Sequence, residues 1–139
     1  MTVLNAAARE AIAAGPLAHL VTINPDGSPQ VSVVWIGLDG DDLVVGHLGA
    51  GRKVANIAAD PRVTVSMETG GANPMGLANH LIVHGTATLS PGGAPELLQR
   101  LAHTYLGPDV RFPPMDEPPP GNVIRIAPRR VGGVGPWAD

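Results

Sequence analysis

The chain has 139 residues, a mass of 14.2 kDa and a formal net charge of −3, with 15% charged and 44% hydrophobic residues. That is the length of one domain, expected to bury roughly 68% of its unfolded surface, and its composition excludes a solvated disordered tail. Two tryptophans, one tyrosine, one phenylalanine and the negative charge argue against a nucleic-acid surface, while the lack of cysteine removes disulfides, thiolate zinc sites and cysteine nucleophiles.

Val3, Leu4, Ala7, Ala11 and Ile12 recur at helical spacing, and Gly15-Pro16 stops that first helix. Its Arg9 and Glu10 interrupt any apolar run, so it does not read as a signal peptide, and no stretch has the length of a membrane span. A cytoplasmic protein is expected. Leu17 to Ile23 reads as a strand, Asn24-Pro25-Asp26-Gly27 as a turn, and Gln30 to Ile36 as the second strand of a hairpin. On that strand Val31, Val33 and Trp35 face one way and Ser32, Val34 and Ile36 the other. After Asp39-Gly40 comes a third strand, Leu43 to Leu48, broken by Gly49-Ala50-Gly51.

Arg52 to Ala59 reads as a short helix that Asp60-Pro61 ends, because a proline disfavours helical geometry in the residue before it. Arg62 to Glu68 alternates as a fourth strand, Thr69 to Asn79 reads as a loop, and His80 to Leu89 as a fifth strand. Glu96 to Leu106 presents Leu97, Leu98, Leu101, Ala102 and Tyr105 on one helical face, and Gly107 ends it. Five prolines between Phe112 and Gly121 exclude a ladder strand and predict a stiff extended segment, either a connection or the rim of a pocket. Asn122 to Ala127 is the sixth strand, and a glycine-rich tail carries Trp137, which needs somewhere to bury its ring. Six strands with short connections predict a mainly β, antiparallel, closed or nearly closed barrel with a few short helices.

The chemistry-bearing stretch runs from Gly49 to Asn56. Arg52 and Lys53 stand in the first turn of a helix, where the dipole disfavours cations unless an anion lies between them. A phosphate or carboxylate would satisfy both, the guanidinium gripping two oxygens while Gly51 lets backbone amides approach; the other reading is two solvated cations on a surface helix. His47 ends the strand leading into this turn, either as part of the anion site or as a histidine hydrogen-bonded at a strand end. His80 and His84 lie in a strand, too far apart to chelate one metal ion. No Ser-His-Asp, paired-carboxylate or HExxH pattern is present, so an enzyme built on this chain would draw its chemistry from a bound cofactor.

The segments Leu20 to Trp35, with its Asn24-Pro25-Asp26-Gly27 turn, Gly51-Arg52-Lys53-Val54-Ala55-Asn56-Ile57, Asp60-Pro61-Arg62-Val63 and Val83-His84-Gly85-Thr86-Ala87 resemble the flavin and deazaflavin split-barrel family. That family includes pyridoxamine phosphate oxidase-like proteins and actinobacterial deazaflavin-dependent reductases. The paired Arg-Lys followed by Asn and Asp-Pro-Arg looks most like the branch that uses coenzyme F420. The resemblance implies a six-stranded antiparallel split β-barrel and a homodimer holding the cofactor at the subunit interface. Carried onto this chain, Val33, Val34, Trp35 and Ile36 would line the ring, His47 and Leu48 would approach the ribityl chain, and Gly51, Arg52 and Lys53, with Asn56, would hold the phosphate. Met75, Gly76, Asn79 and Trp137 of a second copy would close the pocket. The implied reaction is hydride transfer from the reduced deazaflavin to a small conjugated organic acceptor. FMN is the alternative cofactor, and an FMN- or haem-related oxidoreductase or a non-catalytic F420 carrier of the same fold are the alternative functions.

Overall fold

A computed structural model describes residues 3–49 and 51–138. Met1, Ala50 of the predicted glycine turn and Asp139 of the tail lie outside the described residues. Helix α1 spans Ala6–Ala13; Asn5 caps it by accepting from the Ala8 amide at 2.9 Å, and Leu4, Ala8 and Ile12 are buried in the core. The strands are β1 (Ala18–Ile23), β2 (Pro29–Val34), β3 (Gly37–Asp39), β4 (Asp42–His47), β5 (Arg62–Ala72), β6 (Ala78–Pro91) and β7 (Asn122–Val134). Helix α2 (Arg52–Ala59) joins β4 to β5, and α3 (Ala94–Tyr105) joins β6 to the proline-rich segment.

All strands pair antiparallel in one sheet of order β2-β1-β5-β6-β7-β4-β3. The two edges, β2 and β3, are separated in sequence only by Trp35 and Ile36. A link from Val34 to Gly37 reaches at most about 11 Å, whereas seven strands laid flat span about 29 Å. The sheet therefore curls until its edges nearly meet without pairing, which is a split barrel. Alternation dictates what fills it: Val63, Val65 and Met67 of β5, Leu81 and Val83 of β6, and Ile124 and Ile126 of β7 point inward and are buried.

Seven strands replace the six expected. The additional one, β3, has three residues, too few to display an alternation. The strand expected over Gln30 to Ile36 leaves the ladder after Val34, because Tyr105 of α3 captures the backbone there. Its hydroxyl donates to Pro16 O at 2.7 Å and accepts from the Ile36 amide at 3.0 Å. Most of the loop expected over Thr69 to Asn79 is a continuation of the β5–β6 hairpin. Gly70 and Gly71 take φ of +86° and +76° inside β5, so the glycines that suggested a loop build an irregularity in the ladder. Asn73 then shapes the tip by accepting from the Met75 and Leu77 amides, each at 3.0 Å. β7 likewise runs past its expected end at Ala127, with Pro128 at a register shift against Gly85 of β6. The tail returns to the core, where the Trp137 indole donates to His80 O at 3.0 Å.

Candidate functional site

Where β2 ends beside β4, a groove of about 330 Å³ opens between the seam of the sheet, α2 and α3. The groove is lined by Val33, Val34 and Trp35 from the seam, by Gly46, His47, Leu48 and Gly49 from the end of β4 and beyond, and by Lys53, Leu98 and Phe112. Gly46 is needed for this shape, since a Cβ there would lie 3.0 Å from Leu98 Cγ and 3.3 Å from Ala94 O. α3 thus rests directly on β4. His47 Nε2 lies 3.2 Å from where a Gly51 Cβ would stand, so the imidazole packs against the start of α2.

Gly51 is the N-cap of α2 and supplies no side-chain hydrogen bond to the helix start, nor does any acidic residue stand in its first turn. Arg52 is exposed, and its charge helps to lower the pKa of Asp26 on the β1–β2 turn, after the stronger hydrogen bonds from Ser28. Lys53 is half-buried. Among the described residues neither cation has an ion-pair partner within 4.0 Å. Burial pushes the Lys53 pKa down, and burial followed by repulsion from Lys53 pushes His47 below its usual 6.5. The resulting field is positive, with the Asp26 carboxylate acting on Arg52 only from beyond ion-pair distance, beside an apolar groove of the size that takes part of a small ligand.

A pH dependence follows. With the folded pKa of His47 below 6.5, the unfolded chain binds protons more readily there. His47 therefore contributes its full stability above about pH 6.5 and loses it as the pH falls through its folded pKa. An NMR titration of the His47 ring is expected to give a midpoint below 6.5 that rises in Lys53→Ala; a midpoint at or above 6.5 in the unaltered protein would refute the repulsion.

The structure thus brings together Val33, Val34, Trp35, His47, Leu48 and Lys53, with Gly51 and Arg52 adjoining them. It directs two expected site residues elsewhere. Ile36 is 1% exposed and points into the core, on the same inward side as Val34 and opposite Val33 and Trp35. Asn56 is 2% exposed, and its Nδ2 donates to Thr22 Oγ1 at 3.0 Å and Asn24 Oδ1 at 2.9 Å, which ties α2 to β1. Met75 and Asn79 line a separate cleft of about 540 Å³ at the β5–β6 hairpin tip, together with the 133–136 tail; Gly76 is in the tip turn, with φ of +87°, and Trp137 is beside the tail. Within one chain these four are not part of the groove. Phe112 and Leu98 were not singled out as site residues: Leu98 reads as a core position of α3, and a lone aromatic at the head of a proline run gives no sign of its neighbour.

The curled, unclosed antiparallel sheet with a groove at its seam defines the class as a split-barrel protein. Over residues 4–135 the sequence matches the family described as pyridoxamine 5'-phosphate oxidase, and the chain belongs to that family. No curated protein matches the sequence. Among solved structures, an F420 reductase is similar with 28% identity and a TM-score of 0.68, over 84% of this chain and 89% of that one. A haem-binding protein from Mycobacterium smegmatis shares the fold at 22% identity and a TM-score of 0.65, over 95% of this chain and 55% of that one. An FAD-binding protein from Mesorhizobium loti does so at 19% identity and a TM-score of 0.66, over 94% of each.

Proposed function

We propose that the protein is a coenzyme F420-dependent reductase that works as a homodimer. The observation that carries this reading is the pair Arg52 and Lys53, without an ion-pair partner within 4.0 Å among the described residues, at an uncapped helix start beside an apolar groove bounded by Trp35. The similarity to an F420 reductase at 28% identity supports the choice of cofactor. Arg52 and Lys53 would hold the phosphate, Arg52 as a two-pronged donor and Lys53 as a point charge. Val33, Val34, Trp35 and Leu48 would shield the ring from water, and Gly51 would let the first-turn amides reach the anion. When bound, the reduced deazaflavin supplies a hydride to an electrophilic carbon of a conjugated acceptor. His47, held largely neutral near pH 7, acts as a hydrogen-bonding group in the groove lining; an anion on Lys53 offsets the repulsion and moves the His47 pKa back up.

The groove alone encloses only part of such a cofactor, and Val33 is 58% exposed at its mouth. Val31 at 56%, Met75 at 79% and Leu77 at 50% add exposed apolar surface that a second copy would cover, bringing the partner's Met75, Gly76, Asn79 and Trp137 over the first groove. Sedimentation at twice 14.2 kDa is the expected result, and a monomer at micromolar concentration would sink the shared site.

The direct test is a fluorescence titration with coenzyme F420 and, in parallel, with FMN, repeated on an Arg52→Ala/Lys53→Ala double variant whose fold is checked by circular dichroism. The expected result is a preference for F420 that weakens about tenfold or more in the double variant, or ~1.4 kcal/mol, within reach of charge-assisted hydrogen bonds. Preference for FMN, or binding of neither, overturns the proposal.

A further inference from the structure

Tyr105, the last residue of α3, stands outside the lining of the groove and holds the seam in two ways. The register of β1 on β2 ends at Ala18 and Val34; two steps further it would set Pro16 opposite Ile36. Pro16 has no amide proton, so the only direct bond such a pair could make runs from the Ile36 N–H to the Pro16 carbonyl. The Tyr105 hydroxyl is inserted into that bond. It accepts from the Ile36 amide at 3.0 Å and donates to Pro16 O at 2.7 Å, so the ladder is relayed through the phenol oxygen and the strands part there. Burial pushes the Tyr105 pKa above its usual 10.0, which keeps the donated proton in place at neutral pH. The same side chain holds the residue before Ile36. Its ring stacks on Trp35 with centroids 5.4 Å apart and planes at 13°, while Phe112 meets the indole at 5.0 Å with planes tilted by 59°. Phe112 is tethered to α3 in turn, since Gln99 Oε1 accepts from its amide at 3.0 Å.

We propose that Tyr105 is a positioning residue of the groove: its hydroxyl holds β1 and β2 apart at the seam, and its ring sets the plane of the Trp35 indole that receives the flat ring of the ligand. This rests on the reading above, in which Trp35 shields the cofactor ring. A near-parallel stack fixes the plane of the indole, and the hydroxyl fixes the backbone one residue on. A flat ligand gains from this, because the entropy of ordering Trp35 is spent in folding and not in binding. Without the hydroxyl, the Ile36 amide and the Pro16 carbonyl are left to meet directly, and closing the ladder by that pair draws Trp35 off the stack.

The experiment is a double-mutant cycle on the full chain: the unaltered protein, Tyr105→Phe, Trp35→Leu and the two together. Each is checked for its fold by circular dichroism and titrated with F420 and with FMN, read by the cofactor's own fluorescence. Tyr105→Phe keeps the ring and removes only the hydroxyl. It is expected to weaken cofactor binding about tenfold, equivalent to ~1.4 kcal/mol, when Trp35 is present, and by less than about twofold in the Trp35→Leu background, because the hydroxyl acts through the indole. Equal losses in the two backgrounds would mark a general structural role and overturn the proposal, as would no loss in either. A second readout needs no ligand: in protein labelled with fluorotryptophan, the fluorine NMR signal missing from Trp35→Leu belongs to Trp35. In Tyr105→Phe that signal is expected to shift while the Trp137 signal stays, and an unmoved Trp35 signal overturns the proposal. If FMN binds in place of F420, the reductase reading falls by itself and the same cycle, run with FMN, decides on Tyr105. If neither binds, the reductase reading falls as well; a shifted Trp35 signal then still supports Tyr105 as the residue that sets the indole, and an unmoved one overturns it.

Discussion

Gly121→Ala is expected to destabilise the protein by about 2–5 kcal/mol, a large part of the about 5–15 kcal/mol that holds a domain of this size together. Two terms add. Gly121 has φ of +57°, a left-handed conformation that costs a residue with a Cβ about 1–2 kcal/mol. A methyl there would also collide with His47 O, stand 2.8 Å from Leu48 Cα and 2.9 Å from Ala94 Cβ, and overpacking of this kind costs about 1–3 kcal/mol. The segment cannot simply move aside, because Gly92 N donates to Gly121 O at 2.8 Å and Ala94 N to Pro120 O at 3.1 Å. Strain is relieved instead toward His47 and Leu48, which line the groove. Gly40→Ala is the control: its φ of +62° is as unfavourable, but nothing lies within 4 Å of the added carbon. Urea unfolding is expected to show a loss of only about 1–2 kcal/mol there. Equal losses for the two variants would show that close packing at Gly121 contributes nothing.

Asn56→Ala is expected to cost about 2–3 kcal/mol while leaving the F420 affinity of the folded molecules within about twofold. The side chain is inside the protein, joined to a fully buried Thr22 whose hydroxyl in turn donates to Gln30 Oε1 at 3.2 Å. Truncation leaves the Thr22 oxygen without its donor in a place water does not reach, and unlinks α2 from the β1–β2 turn through Asn24. Chemical denaturation alongside a cofactor titration separates the outcomes. Intact stability with lost affinity would return Asn56 to the phosphate site.

These residues mark the reach of the sequence. Where a strand has one face in the core for its whole length, as with Val63, Val65 and Met67, period-two alternation locates it and gives its facing. Where a proline or glycine terminates a helix, as at Gly15-Pro16 and Asp60-Pro61, the boundary is equally legible. Gly70, Gly71 and Pro128 were misleading because a bulged ladder and a loop use the same residue types, and only the partner strand distinguishes them. In the candidate site, the charge pair and the glycine beside it could be found by local spacing. Asn56 could not be oriented that way, since the register of α2 on β1 turns it inward, whereas the alternation that puts Trp35 outward already sets Ile36 inward with Val34. The segment that begins at Phe112 was legible as a connection or the rim of a pocket, but the neighbours of Phe112 were not, since they come from Gln99 and from a tryptophan in another part of the chain.

The seam between β2 and β3 has a dynamic consequence. Each edge strand is paired on one side only, β3 has three residues, and the backbone of the two-residue link between them is held by the Tyr105 hydroxyl in place of a ladder. Opening there breaks no ladder between β5, β6 and β7, where pairing is longest. Amide protons at Trp35, Ile36 and in β3 should exchange with solvent through small local openings, while those of Leu81, Val83 and Ile124 wait for global unfolding. The groove is thus set at a line along which this barrel can breathe without coming apart.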